Sequence, residues 1–332
     1  MLKKLLFPAF ILLSLTTFSQ KQDTLYIPQI EGTIRAKYEY NPSIGKSRFE
    51  VRNARFSING KISPITLYKA EIDLSDEGIT KMLDAYVKIL PKKCWNFTIG
   101  QQKVPFSTDN LRSPHQLYFA NHSFIGKQLT ALRDVGATLD LKNKTKIPFD
   151  LIIGVYNGTG LYNQKSWRKT DEFSLVSRFV CKPAKNINIS LNANTIKPVQ
   201  LRMNLFDAGF STDLKEWHFE SEYLYKTYNC DSISATEGFF AFAAYNIQIH
   251  NKKNLSKVTP VLRYDMMTDN ICFDDKGNIR NDIKRSRLTG GLTFSLNKPF
   301  LNDIRLNYEQ YFYKINQTNS DNKLVIEFVA RF

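Results

Sequence analysis

Apolar and polar side chains alternate with a period of two along most of the chain. In IEGTIRAKYEY (30–40), Ile30, Ile34, Ala36, Tyr38 and Tyr40 share one face, and Glu31, Arg35, Lys37 and Glu39 share the other. LYKAEIDL (67–74) puts Lys69, Glu71 and Asp73 on one side. WHFESEYLYKTY (217–228) sets Trp217, Phe219, Tyr223 and Tyr225 against His218, Glu220, Glu222 and Lys226, and DIRLNYEQYFYK (303–314) aligns Ile304, Leu306, Tyr308 and Phe312. Period two is the pattern of a strand with one apolar and one polar face. About sixteen such runs are predicted, near 30–40, 47–62, 65–75, 81–91, 94–105, 133–142, 148–157, 171–182, 186–195, 201–213, 216–229, 237–250, 257–268, 285–296, 303–314 and 323–332. Most exceed the usual ~5–6 residues of a soluble-sheet strand and meet the ~9–11 needed to cross a bilayer at a tilt.

The connections between runs divide into two sets. One is short: 63–64, 91–93, 143–147, 183–185, 214–215, 251–256 and 297–302. The other holds every long one, near 106–132, 158–170 and 269–284. Short turns at one end and long loops at the other predict an all-β, antiparallel, up-and-down transmembrane barrel of about sixteen strands. The last run, KLVIEFVARF, carries the alternation to Phe332. A strand there closes the barrel against the first and leaves no unpaired edge. Phe328 and Phe332 also resemble the aromatic assembly signal that the barrel-assembly machinery of bacterial outer membranes reads.

The beginning of the chain fits export. MLKKLLFPAFILLSLTTFSQ has two lysines, an apolar stretch from Leu5 to Leu15 and small residues near Ser19, the order of a signal peptide. Residues 1–20 are therefore read as a leader and 21–332 as a single barrel, in the outer membrane of a Gram-negative bacterium. The greasiest later run, FFAFAAY (239–245), is far too short for a membrane helix.

Composition agrees with a β chain: 24 Phe and 16 Tyr stand against 5 Met. The formal charge of +15, lowered by two without Lys3 and Lys4, favours anionic partners without choosing among nucleic acid, small anions and the headgroups of lipid or lipopolysaccharide. Four cysteines (Cys94, Cys181, Cys230, Cys272) lie far apart. They are read as unbonded thiols, with Cys230–Cys272, in neighbouring long connections, as the alternative pair. No metal site or cofactor is expected: the histidines are scattered, and Asp274–Asp275 alone is too little for calcium. Enzymatic readings find no GxSxG. The basic stretch 278–287 lacks the aromatic interleaving of a nucleic-acid binder.

With the strands placed, one region has a recognisable order of motifs. These are Arg52–Ala54–Arg55, Ala70–Glu71–Ile72–Asp73, Asp84–Ala85–Tyr86–Val87, Gly100–Gln101 with Lys103 to Ser107, Arg133–Asp134–Val135–Gly136, and Tyr156 to Gly160. Over roughly residues 48–160 this resembles the phosphate-selective porin O and P family. The resemblance implies a sixteen-stranded, homotrimeric barrel whose constricted, basic lumen passes anions, phosphate among them. The motifs are mostly scaffold, so the resemblance specifies no phosphate-contacting residue.

Parity supplies the candidates. Arg35, Lys37, Arg178, Arg263, Arg287, Arg305 and Arg331 fall on inward faces, with carboxylates such as Glu39, Glu71, Asp73, Asp140, Asp265 and Glu309 sharing the wall. Arg52 and Arg55 flank an apparent register change, a bulge that leaves only one of them inward. The connection 106–132 holds Leu117, Tyr118, Phe119, Phe124 and Ile125, which favours burial inside the barrel. That course brings Arg112, His115 and Lys127 toward Lys103 and Arg133 as constriction candidates. Packing at a subunit interface is the alternative. As functions, an anion channel stands against a general or uncharged-solute porin and a plugged structural or adhesive barrel.

Overall fold

The computed structural model describes residues 26–332 apart from 77–78, 131, 162–163, 199–200, 251–253, 274–278, 297–298, 300 and 314–320. The expected leader lies outside the described residues, as do Asp274 and Asp275. The first strands are β1 (Gln29–Asn41), β2 (Lys46–Ser63), β3 (Thr66–Asp76), β4 (Ile79–Lys92) and β5 (Trp95–Lys103). Next come β6 (Arg133–Asn143), β7 (Phe149–Tyr156), β8 (Ser174–Ala184), β9 (Ile187–Ile196), β10 (Met203–Leu214) and β11 (Trp217–Tyr228). The remainder are β12 (Thr236–Tyr245), β13 (Ile247–Gln248), β14 (Leu255–Met267), β15 (Asn270–Phe273), β16 (Ile279–Asp282), β17 (Arg285–Leu296), β18 (Leu301–Tyr313) and β19 (Lys323–Arg331).

All but β15 and β16 belong to one antiparallel sheet, and β1 pairs with both β2 and β19, so the sheet closes on itself. β12 and β13 both pair with β14 and are successive pieces of one stave, which gives sixteen staves. β15 and β16 form a separate hairpin inside the long connection near 269–284, which the alternation did not predict. At the seam, the amide of Gly32 donates to the Phe332 carbonyl at 2.8 Å and that of Phe332 donates back at 3.1 Å. The Phe332 ring lies on Gly32, where a Cβ would come within 2.3 Å of it.

Alternation sorts the wall. The outer face carries Ile30, Val51, Leu191, Phe206 and Phe49, the last 86 % exposed, as a wall bathed in hydrocarbon requires. The inner face is polar along β17–β19 and β1–β4. Along β7–β14 it also carries apolar side chains: Val176, Leu205, Leu224, Phe240, Phe242 and Val261 are buried inward. In FFAFAAY, then, Phe240 and Phe242 face the lumen rather than the membrane.

One expectation is corrected, and the reading of the cysteines as unbonded holds. Both Arg52 and Arg55 face the lumen, because Arg52 is itself the extra residue of the bulge: Arg35 pairs with Asn53 and Ala36 with Val51. No disulfide joins Cys230 and Cys272. Sγ of Cys230 lies 3.1 Å from Ser232 Oγ, and Sγ of Cys272 donates to the Arg280 carbonyl.

Candidate functional site

Between β5 and β6 the chain crosses the lumen. It turns inward at Ser107, whose φ of 65° lies in the left-handed region, and forms a short helix α1 (Thr108–Leu111). A segment buried this way loses water from its backbone amides and carbonyls, and each must find another partner. The barrel wall supplies them, sorted by charge. Carboxylates and amide oxygens accept from N–H groups: Glu222 from Thr108 (2.7 Å) and Asp109 (3.3 Å), Asp265 from Phe124 (3.1 Å), and Asn307 from Ala120 (2.8 Å). Cations donate to carbonyls: Arg35 to Ala120 (2.6 Å), Arg263 to Asn121 (3.0 Å), Arg287 to His122 (2.8 Å), Arg305 to His115 (3.1 Å), and Lys103 to Arg112 (3.1 Å).

The apolar side chains of the segment complete the docking. Phe119, Phe124, Ile125 and Leu129 pack with Phe106 against Leu224, Phe240, Phe242 and Met267. Gly238 makes room, since a Cβ there would lie 2.6 Å from Leu129 Cδ1. The guanidinium of Arg263 sits 4.4 Å from the centre of the Phe119 ring, and that of Arg287 sits 4.8 Å from Phe124. The half of the lumen facing β7–β14 is thus filled.

The same arginines also pair with wall carboxylates: Arg35 and Arg305 with Glu327 (2.6 and 2.9 Å), and Arg287 with Asp265 and Glu309 (2.6 and 3.1 Å). Arg178 bonds Asn192 and Thr108, Arg55 pairs with Asp73, Arg133 with Asp84, and Arg112 with Glu220. Several basic residues predicted to line an open lumen therefore hold the crossing segment or neutralise a neighbour. A parity argument finds their direction but not these partners, which lie more than a hundred residues away in several cases.

Open space remains on the other half, along β1–β3 and β17–β19. A cavity of about 750 Å³ opens toward the long-loop end. Among its described lining residues, eight are lysine or arginine and three are carboxylates. A second cavity of about 350 Å³ lies toward the short-turn end, lined by Arg55, Lys69, Lys103, Arg133 and Arg331 with His115 and three carboxylates. Of the five constriction candidates, Lys127 and the triad Lys103, His115 and Arg133 line opposite cavities, and Arg112 lines neither. Lys37 and Arg52 reach the larger one. Arg48, Lys46, Lys323 and Arg285 line it too and were missed; Arg48 shares parity with Glu50 and Arg52, and Lys323 with Glu327, so the signal was present.

Burial sets the titration of the crossing segment. It lowers His115 to about 4, helped by the Arg331 charge, and lowers His122 against the pull of Asp109. Burial would raise Asp109, but His122, Arg112 and Arg263 outweigh it and hold that carboxyl below its ordinary range. Burial lifts Tyr118 to about 12. Lys127 is lowered by burial and by the like charges of Arg52, Lys81 and Lys37.

Residues 31–174, which run from within β1 through β7 and include the crossing segment, match the family model described as phosphate-selective porin O and P. Over that stretch the chain is similar to this family. The fold is that of outer-membrane porins. An anion-selective porin from Comamonas acidovorans superposes with a TM-score of 0.64 at 9% identity, covering 92% of this chain and 99% of that one. Pseudomonas putida OprB gives a TM-score of 0.65 at 9% identity over 92% and 94% of the two chains. OmpT of Vibrio cholerae, in a trimer form, gives 0.61 at 10% over 92% and 98%. No curated protein sequence matches.

Proposed function

We propose that the protein is a passive outer-membrane channel that favours small anions, phosphate among the candidates. The long-loop end faces outward and the short-turn end faces the periplasm. Three copies assemble, a reading supported by the trimer form of the Vibrio cholerae neighbour. The observation that carries selectivity is the larger cavity, where lysines and arginines outnumber carboxylates and Lys127 reaches in from the crossing segment. A mouth lined by one sign of charge between low-dielectric walls raises the local concentration of the opposite ion. Among the described residues, no carboxylate lies within ion-pairing distance of Lys127, and arginine forks such as Arg52 suit oxyanions.

A general porin is the second reading. It is favoured by the engagement of Arg35, Arg263, Arg287 and Arg305 with the segment and the wall, which leaves less unpaired charge in the lumen. Titrating inorganic phosphate against the chloride current in planar bilayers separates the two. The wild-type current should be depressed by phosphate. Replacing Lys127 and Arg52 together by glutamine should raise the half-blocking concentration by about tenfold, equivalent to about 1.4 kcal/mol. A current indifferent to phosphate, or equally sensitive in the variant, would contradict the anion reading.

A further inference from the structure

The two cavities share one wall, and the residues that line them change along each strand in the same order. On β1, Glu31 and Thr33 line the smaller cavity and Lys37 and Glu39 the larger, with Arg35 between them lining neither. On β2, Ser57 and Arg55 line the smaller and Arg52 and Glu50 the larger, with Asn53 between. On β19, Arg331 lines the smaller and Lys323 the larger, with Glu327 between. Arg35, Asn53 and Glu327 therefore form one layer across three neighbouring strands.

The layer is dry: Arg35 is 2 % exposed and Glu327 0 %. Arg35 donates to Glu327 through Nε (2.9 Å) and Nη2 (2.6 Å), and to Asn53 through Nη1 (3.1 Å). Asn53 continues to Asp73 on β3 at 2.8 Å. Opposite the layer, the crossing segment presents Ala120, whose carbonyl accepts from Arg35 Nη2 and whose amide donates to Asn307. Ala120 is 1 % exposed, so here the segment touches the wall and separates the cavities.

Building on the anion-channel reading, we propose that the contact between Arg35 and Ala120 is the gate between the two cavities and that an oxyanion crosses by replacing the Ala120 carbonyl on Arg35. The exchange is chemically even. A carbonyl oxygen and a phosphate oxygen accept the same N–H, and charge-assisted donation favours the anion. Glu327 and Asn53 keep the guanidinium fixed while the carbonyl leaves, so the donor is oriented before the anion arrives. Residues 117–123 move and the wall does not.

The test compares Arg35→Lys and Arg35→Met in planar bilayers, with folded barrel verified by heat-modifiable gel mobility. Lysine keeps the charge but not the fork that reaches Ala120, Asn53 and Glu327 together; methionine removes both. Single-channel conductance in chloride should rise several-fold in both variants, and the anion-to-cation permeability ratio should fall only with methionine. Wild-type conductance in both variants would overturn the gate, and an unchanged ratio in Arg35→Met would overturn the donor role. Where methionine prevents folding, the conductance of Arg35→Lys decides. A wild-type channel without anion preference would count against the channel reading, and the conductance comparison would still test the partition.

Discussion

The inward arginines show how one side chain can be read correctly in direction and missed in purpose. Alternation alone placed Arg35, Arg263, Arg287 and Arg305 on the inner face, since a register error would put a guanidinium in hydrocarbon. Their partners were hidden, because Arg35 meets Ala120 and Arg287 meets His122 only once the barrel has closed around the crossing segment. The same limit applied to Arg52, whose inward course depends on a bulge that shows in the sequence only as a break in parity. Two histidines of the segment yield a prediction at this scale. His115 and His122 are held neutral by burial, His115 down to about 4. Released from the wall, both would take a proton near the ordinary histidine value of ~6.5. A group depressed in the packed state favours that state above its unpacked value and opposes it as protons bind. Docking of the segment should therefore be firm above pH 6.5 and weaken progressively toward pH 4. Protease cleavage within 104–132 should increase over that window, and replacing both histidines by glutamine should flatten the profile. An unchanged cleavage rate across the window would refute it.

At the scale of elements, the staves were legible because each crosses a bilayer and must alternate along its length. β8, β11 and β19 fall where the runs 171–182, 216–229 and 323–332 put them, within a few residues. The β15–β16 hairpin was not legible, since four-residue strands carry too little pattern to separate from a loop. Nor was the inner apolar wall. Phe240 and Phe242 alternate with Phe239 and Ala241, so FFAFAAY is apolar on both faces and gives no sign that one meets another part of the chain. The crossing segment is itself an element held from two sides, by apolar packing on β12 and β14 and by buried charge from β1, β17 and β18. Removing one partner from such a pair leaves an uncompensated charge, which costs roughly 3–5 kcal/mol. Arg287→Met would leave Asp265 and Glu309 without their main cation. Its thermal unfolding should shift down by several degrees with the barrel still inserted. Wild-type stability in that variant would mean that these ion pairs do not anchor the segment.

The whole molecule joins a lipid-facing wall, a half-filled lumen and two basic cavities separated at one layer. Closure of β1 on β19 creates the lumen, and the crossing segment decides how much of it stays open. The segment draws on the basic wall for its own hydrogen bonds, so net charge alone overstates what an ion would meet. What remains is the basic surplus of the larger cavity, where Lys127 lies beside Lys37 and Arg52, two cations that share Glu50. The central claim is that this remainder sets the sign of the permeant ion. The most direct measurement is the reversal potential of the wild-type protein in a planar bilayer under a tenfold gradient of potassium chloride. The account predicts a potential displaced toward the chloride equilibrium value, and displaced less at high salt, where screening shortens the reach of the cavity charges. A potential displaced toward the potassium value, or a protein that inserts and carries no current, would contradict it.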